Sequence, residues 1–177
     1  PLDFDQRHKM VLDLDYRFGD NDGPLWGKHH PLEHTGLNTA FTVASGTPFT
    51  PTEILNEVTL AAVASEPVSA VNSRYGPWTY RVDLKGDRDF AVGGVEFDAY
   101  VWVINLFNRE NVVEVYTSSG APNSTYFLTT DNGAAFIDRT QLRATNADVA
   151  DFYRLREFDP GHYATPRSVR FGLKASF

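Results

Sequence analysis

Three histidines lie close together at His29, His30 and His34, and His30-Pro31-Leu32-Glu33-His34 spells H-x-x-E-H. On a helix, residues i and i+4 share a face, so that spacing lets two imidazoles hold one zinc ion, as in some zinc peptidases. The surroundings argue against the helix. Pro31 is tolerable only in a first turn, Gly36 follows at once, and an alternating stretch begins behind it. No third ligand is evident. The three histidines are therefore expected in a turn, with adventitious metal binding as their remaining metal chemistry.

Other reactive chemistry is sparse. Carboxylates are plentiful, with 23 Asp and Glu against 16 Lys and Arg, but no spacing marks a catalytic pair. There is no cysteine, hence no disulfide framework and no thiolate metal site. Nucleophile-elbow and phosphate-loop patterns are missing as well. The reading is a protein that is not an enzyme and carries no cofactor. The formal net charge of -7 argues against a nucleic-acid partner. Asn123-Ser124-Thr125 fits a glycosylation sequon and is read as loop chemistry without consequence.

The charges are instead informative by position, because many of them occupy every second residue. Asp13, Asp15 and Arg17 alternate with Leu12, Leu14 and Tyr16. Arg81, Asp83, Lys85 and Asp87 alternate with Tyr80, Val82 and Leu84, behind Trp78. Glu96 and Asp98 alternate with Val95, Phe97 and Ala99. In the last stretch, Val169, Phe171, Leu173, Ala175 and Phe177 alternate with Ser168, Arg170, Gly172, Lys174 and Ser176. A period of two means strands with one apolar and one polar face. Charges of this density cannot sit in lipid, so in a barrel their face is the water-filled lumen.

Five strands are expected, near 8–19, 36–46, 78–92, 95–117 and 166–177. The fourth carries a kink at 105–111. Several approach the ~9–11 residues that a tilted membrane strand needs. Gly93-Gly94 is a two-residue hairpin signal; it sets Val92 opposite Val95, Phe90 opposite Phe97, and Asp89 opposite Asp98. Arg88 breaks parity by landing on the apolar face, near enough to the turn to snorkel toward headgroups. Residues 49–76 show no period, although EILNEVTLAAVA has the makings of a helical turn. The stretch 118–165 is irregular, with a short helix expected in TNADVADFYRLREF, capped by Asn146 and with Asp148 in its first turn. Mean hydropathy is -0.33 and no apolar run approaches the ~20 residues of a membrane helix, a test that is blind to barrels. The fold class expected is all-β: an antiparallel up-and-down segment of a transmembrane β-barrel, open-edged and curved when alone. The chain begins at Pro1 without an initiator Met or signal peptide and is expected to be a piece of something longer.

Several words of the sequence carry a family resemblance. They are Asp5-Gln6-Arg7-His8, Ser45-Gly46-Thr47-Pro48-Phe49-Thr50, Tyr80-Arg81-Val82-Asp83-Leu84, Asn105-Leu106-Phe107-Asn108-Arg109-Glu110-Asn111, and Pro166-Arg167 leading into the last strand. In this order and spacing the chain resembles the C-terminal end of a TonB-dependent receptor barrel of the Oar-like, carboxypeptidase-regulatory-like-domain type. Such receptors build a barrel of about 22 strands around an N-terminal plug and import bulky nutrients across the bacterial outer membrane. The resemblance implies the last five strands, without the plug domain. Arg170, Gly172, Ala175 and Phe177 then match the signal read by the barrel-assembly machinery, with Ala175 the weak position. Implied partners are outer-membrane lipid, the rest of the barrel with its plug, and TonB through an N-terminal region that this sequence lacks. Tyr16, Phe18, Trp78, Tyr80, Phe97 and Phe171 would face lipid or the interface, and Arg81, Asp83, Lys85, Asp87, Glu96 and Asp98 the lumen.

A second reading stands beside it. A soluble β-sandwich that binds carbohydrate would use Trp26, Trp78 and Trp102 as stacking platforms. Such a module hides its apolar faces between two sheets and needs more strands of even length.

Overall fold

The computed structural model describes residues 2–54, 65–141 and 148–177. The strands are β1 (Lys9–Arg17), β2 (Thr35–Ala44), β3 (Pro48–Phe49), β4 (Arg74–Tyr75), β5 (Thr79–Val92), β6 (Val95–Ile104) and β7 (Ser168–Ser176). Two short helices follow β6, α1 (Asp131–Gln141) and α2 (Val149–Glu157). The chain is thus mostly sheet. β1, β2, β5, β6 and β7 form one antiparallel sheet in that order, and β3 pairs with β4 in a ribbon of its own. The large sheet is not closed; β1 and β7 are its edges.

The period-two pattern explains the sheet. Val92 pairs with Val95, Phe90 with Phe97 and Asp89 with Asp98, the register set by the Gly93-Gly94 turn. Both glycines have positive φ, 63° and 85°, which the two-residue turn demands. Across the next seam, Phe97 faces Ala175, Val101 faces Phe171 and Val103 faces Val169. Apart from Arg88, which faces Ala99, apolar faces apolar on this side, so one face is apolar across β5, β6 and β7. At the other seam, the Phe18 N–H donates to Thr35 O at 3.0 Å and the His34 N–H to Phe18 O at 3.1 Å.

One boundary expectation fails. The alternation of Val113 and Val115 with Glu114 and Tyr116 predicts strand to 117, yet β6 ends at Ile104. Asn105 and Asn108 take left-handed backbone, φ 55° and 50°, and turn the chain away. Val112 keeps a single bridge, to Tyr163. The other strands begin and end within two residues of the expected bounds; β5 begins at Thr79, leaving Trp78 outside it.

The chain divides into two compact units. The sheet unit comprises Lys9–Val43, Tyr80–Glu110 and Thr165–Phe177; the other comprises Pro1–His8, Ala44–Thr79 and Asn111–Ala164. The second unit holds the 49–76 stretch read as loop and, as far as Ala164, the irregular 118–165 stretch with its expected short helix. It holds β3, β4 and both helices; Phe127 meets Phe136 of α1 and Tyr153 of α2, with ring centroids 5.7–6.0 Å apart. A glycine at 133 lets α1 close on residues 127–128, because a Cβ there would collide with the Phe127 carbonyl. α2 falls in the stretch expected to hold a helix but starts later than expected: Asp148, expected in the first turn, is its N-cap, and its carboxylate accepts from the N–H groups of Ala150 and Asp151. Asn146, the expected cap, lies outside the described residues, as does most of EILNEVTLAAVA.

Candidate functional site

The sheet unit is built inside out. Its buried residues are Gly36, Asp83, Asp87 and Asn105, and no apolar side chain is among them. Its apolar face is open: Leu14 is 58% exposed, Phe171 75% and Leu173 64%. Leu12, Tyr16, Leu37, Phe90, Val92 and Val169 are exposed on the same face. A water-soluble sheet with one polar face shows the reverse, because burial of apolar area is what stabilises it.

The six charged residues read as a ladder do share one face. Lys85 sits opposite Trp102, Asp87 opposite Tyr100, Asp89 opposite Asp98 and Ala91 opposite Glu96, so Arg81, Asp83, Lys85, Asp87, Glu96 and Asp98 point one way. Neighbouring strands shelter the carboxylates with long side chains. Arg17 reaches from β1 to Asp87 on β5, with Nη1 to Oδ2 at 3.0 Å, while its Nε stays 3.2 Å from Asp15. It must pass over β2, and Gly36 makes the passage. A Cβ at Gly36 would stand 2.6 Å from Asp87 Oδ2 and 3.0 Å from Arg17 Nη1. Lys85 Nζ adds a contact to Asp87 Oδ1 at 3.7 Å and lies 5.3 Å from the Tyr100 ring centre. Asn38 on β2 donates to Asp13 at 2.7 Å. Arg81 pairs with Asp83 at 3.0 Å. The alternation places Arg17, Asn38 and Tyr100 on this face; what it does not show is the reach of Arg17 across β2 to Asp87 and the need for Gly36 beneath it, since contacts across a third strand leave no local trace.

Of the proposed assembly residues, Arg170 sits across from Trp102, its guanidinium 5.4 Å from that ring's centre. Gly172 sits across from Tyr100, and a Cβ there would collide with the Tyr100 ring. Gly172 therefore has a packing role on the polar face. Ala175 pairs with Phe97 on the apolar face, and Phe177 lies just past β7, fully exposed.

The aromatic residues divide. Tyr16 and Phe18 meet edge to face at 5.0 Å, and Phe90 stacks on Phe97 at 5.5 Å. Tyr80 and Phe171 belong to the same apolar face. Trp78 belongs to the other unit and stacks on His8 at 5.8 Å. Trp26 is exposed, and Trp102 lies on the polar face beneath Arg170. The sandwich reading needs a second sheet of comparable size, and the other sheet among the described residues is a ribbon of two-residue strands.

The words that carried the family resemblance fall into two clusters. In the sheet unit, Asn105 is the hub. Its N–H donates to Asp83 Oδ1 at 2.9 Å, its side chain bonds both the N–H and the C=O of Arg109 at 3.0 Å, and it donates to Thr165 O. Asn108 accepts the Arg167 N–H at 2.9 Å. In the other unit, His8 and Ser45 exchange bonds: the Ser45 N–H donates to His8 O at 2.8 Å, and the His8 N–H to Ser45 Oγ at 3.2 Å. Gly46 lies against Gly76, where a Cβ would collide with the Gly76 backbone.

The histidine cluster is a turn. His34 has φ 58°, incompatible with a helix through it, and its Nε2 lies 3.4 Å from Asp20; the His30 Nδ1 lies 2.9 Å from Gly23 O. Among the described residues no group of three or more His, Asp or Glu is placed to hold a metal, and no helix is long and apolar enough to cross a membrane. Thr125 of the sequon is a core residue, fully buried against Glu157. No family model, no curated protein and no solved structure matches the chain.

Proposed function

We propose that the five-stranded sheet is part of the wall of a transmembrane β-barrel in the bacterial outer membrane, the C-terminal segment of a TonB-dependent receptor of the Oar-like type. The observation that carries the reading is the inverted burial: every buried residue of the sheet unit is polar or glycine, while none of its large apolar side chains is buried and Leu12, Leu14, Tyr16, Phe171 and Leu173 are exposed. Lipid on one side and water on the other is the environment that satisfies both faces. Strands of 9, 10, 14, 10 and 9 residues bracket the length a tilted membrane strand needs. Tyr16, Phe18, Phe90 and Phe97 gather near one end of the strands, where an aromatic belt would lie.

On this reading Arg81, Asp83, Lys85, Asp87, Glu96 and Asp98 line the lumen, and the connections 20–35 and 93–94 face the periplasm. Connections 47–77 and 119–165 face outward. Arg170, Gly172, Ala175 and Phe177 present the strand to the assembly machinery. The open edges β1 and β7 receive the neighbouring strands of the same barrel, because an unpaired edge is otherwise an aggregation template. The role in transport is the import of bulky nutrients, driven by TonB acting on the plug.

Refolding tests it. The chain, diluted from denaturant with and without detergent micelles, is followed by far-UV circular dichroism and by heat-modifiable gel mobility. A β-rich species that requires detergent is expected. A monomeric β-rich species formed in plain buffer would overturn the proposal and favour the soluble binding module.

A further inference from the structure

On the apolar face of the sheet, Phe41 of β2 and Tyr80 and Val82 of β5 line a groove of about 490 Å³ with Asn105, Phe107 and Arg109 of the turn after β6. A guanidinium stands in it, at the end of the strands opposite to Arg88, the other arginine of that face. The Arg109 Cζ lies 4.8 Å from the Tyr80 ring centre. The turn that carries Arg109 is fixed, with Asn105, only 2% exposed, bonding the Arg109 backbone at both its N–H and its C=O. On the polar face Arg17, Arg81 and Lys85 each have a carboxylate partner. Among the described residues Arg109 forms no ion pair with a carboxylate.

A cation with an apolar groove beside it, on a face read as lipid-exposed, calls for an anion that brings its own hydrocarbon. We propose that the groove binds one anionic lipid, its phosphate on the Arg109 guanidinium and its acyl chain along Phe41, Val82 and Phe107. The inference rests on the membrane reading above. The planar guanidinium offers two parallel N–H donors to a phosphate, a geometry an ammonium cannot reproduce. Away from water a charge–charge hydrogen bond of this kind is strengthened, and an unpaired cation is costly. The volume falls within the ~300–1,000 Å³ of ordinary ligand pockets. Tyr80 holds the guanidinium from its ring face, and that arrangement leaves the N–H edge free for the anion.

The experiment uses the chain folded in zwitterionic micelles, with phosphatidic acid or phosphatidylcholine added and bound lipid counted by native mass spectrometry. Wild-type chain should retain phosphatidic acid about tenfold better than phosphatidylcholine, the scale of one charge-assisted contact. Arg109→Gln should abolish the preference, and Arg109→Lys should keep only part of it. Equal retention of the two lipids, or a preference unchanged in Arg109→Gln, would overturn the inference. So would full displacement of the lipid by millimolar inorganic phosphate, which would mark a plain anion site. Circular dichroism on these samples and on the chain in plain buffer separates the two levels. A detergent-dependent β-rich chain without lipid preference rejects the lipid site alone, whereas a chain folding without detergent removes the membrane reading and the lipid site together.

Discussion

Val101→Arg should cost about 2–4 kcal/mol of folding free energy in a bilayer, the penalty for a cation at the midplane of a barrel's lipid face. Val101 lies midway along β6, between Gly86 of β5 and Phe171 of β7. In the isolated chain it is 41% exposed. On a sheet face that met water, the same replacement would stay within about 0.5 kcal/mol, as surface substitutions do. The two environments thus predict effects that differ several-fold from one residue. Denaturant titration in lipid vesicles, with the wild type alongside, measures the difference. Arg88, opposite Ala99 and nearer the Gly93-Gly94 turn, supplies the internal comparison. At that height a cation costs only about 0–1 kcal/mol, so Arg88→Leu should change little.

Glu157→Leu should cost about 3 kcal/mol, and it acts in the other unit by another mechanism. Glu157 is 3% exposed, and its Oε1 accepts the Thr125 N–H at 2.8 Å and the Thr125 hydroxyl at 2.6 Å. Ser124 Oγ adds a longer bond at 3.5 Å. Thr125 is 0% exposed, so water cannot replace the lost acceptor. Each buried donor left unpaired costs about 1–3 kcal/mol. For a chain of this size that is a fall in melting temperature of about 6–12 °C. Glu157→Gln keeps a carbonyl oxygen for the Thr125 N–H and should recover most of the loss. A melting curve for each variant, under conditions where the wild type unfolds reversibly, decides it; equal stability of the Leu and Gln variants would mean that the carboxyl oxygen carries no such bond.

The strands were legible because alternation is local. Any five consecutive residues of β7 announce their two faces, and Gly93-Gly94 sets the β5–β6 register without help from the rest of the chain. The end of β6 was not legible, because Val113 and Val115 keep the period while Asn105 and Asn108 have already turned the backbone. α1 was missed for a related reason. Its Asp131-Asn132-Gly133 start reads as a turn, and the need for Gly133 arises from contact with residues 127–128. The polar ladder was half legible: the sequence marked which residues share a face, not that Arg17 crosses β2 to reach Asp87. That contact spans 70 residues and depends on a missing Cβ at Gly36. The buried pair of Thr125 and Glu157, 32 residues apart, was hidden behind a sequon that drew attention to the surface.

A cysteine scan tests the membrane reading most directly, because the chain has no cysteine of its own to interfere. Single cysteines at Leu12, Leu14, Val101, Leu173 and Ala175 sample the apolar face; single cysteines at Asp13, Asp15, Glu96, Asp98 and Lys174 sample the polar face. With the chain folded in lipid vesicles, labelling by a water-soluble maleimide should alternate residue by residue, slow on the first set and fast on the second. A uniform fast rate on both faces, with the sheet still folded, would contradict the account.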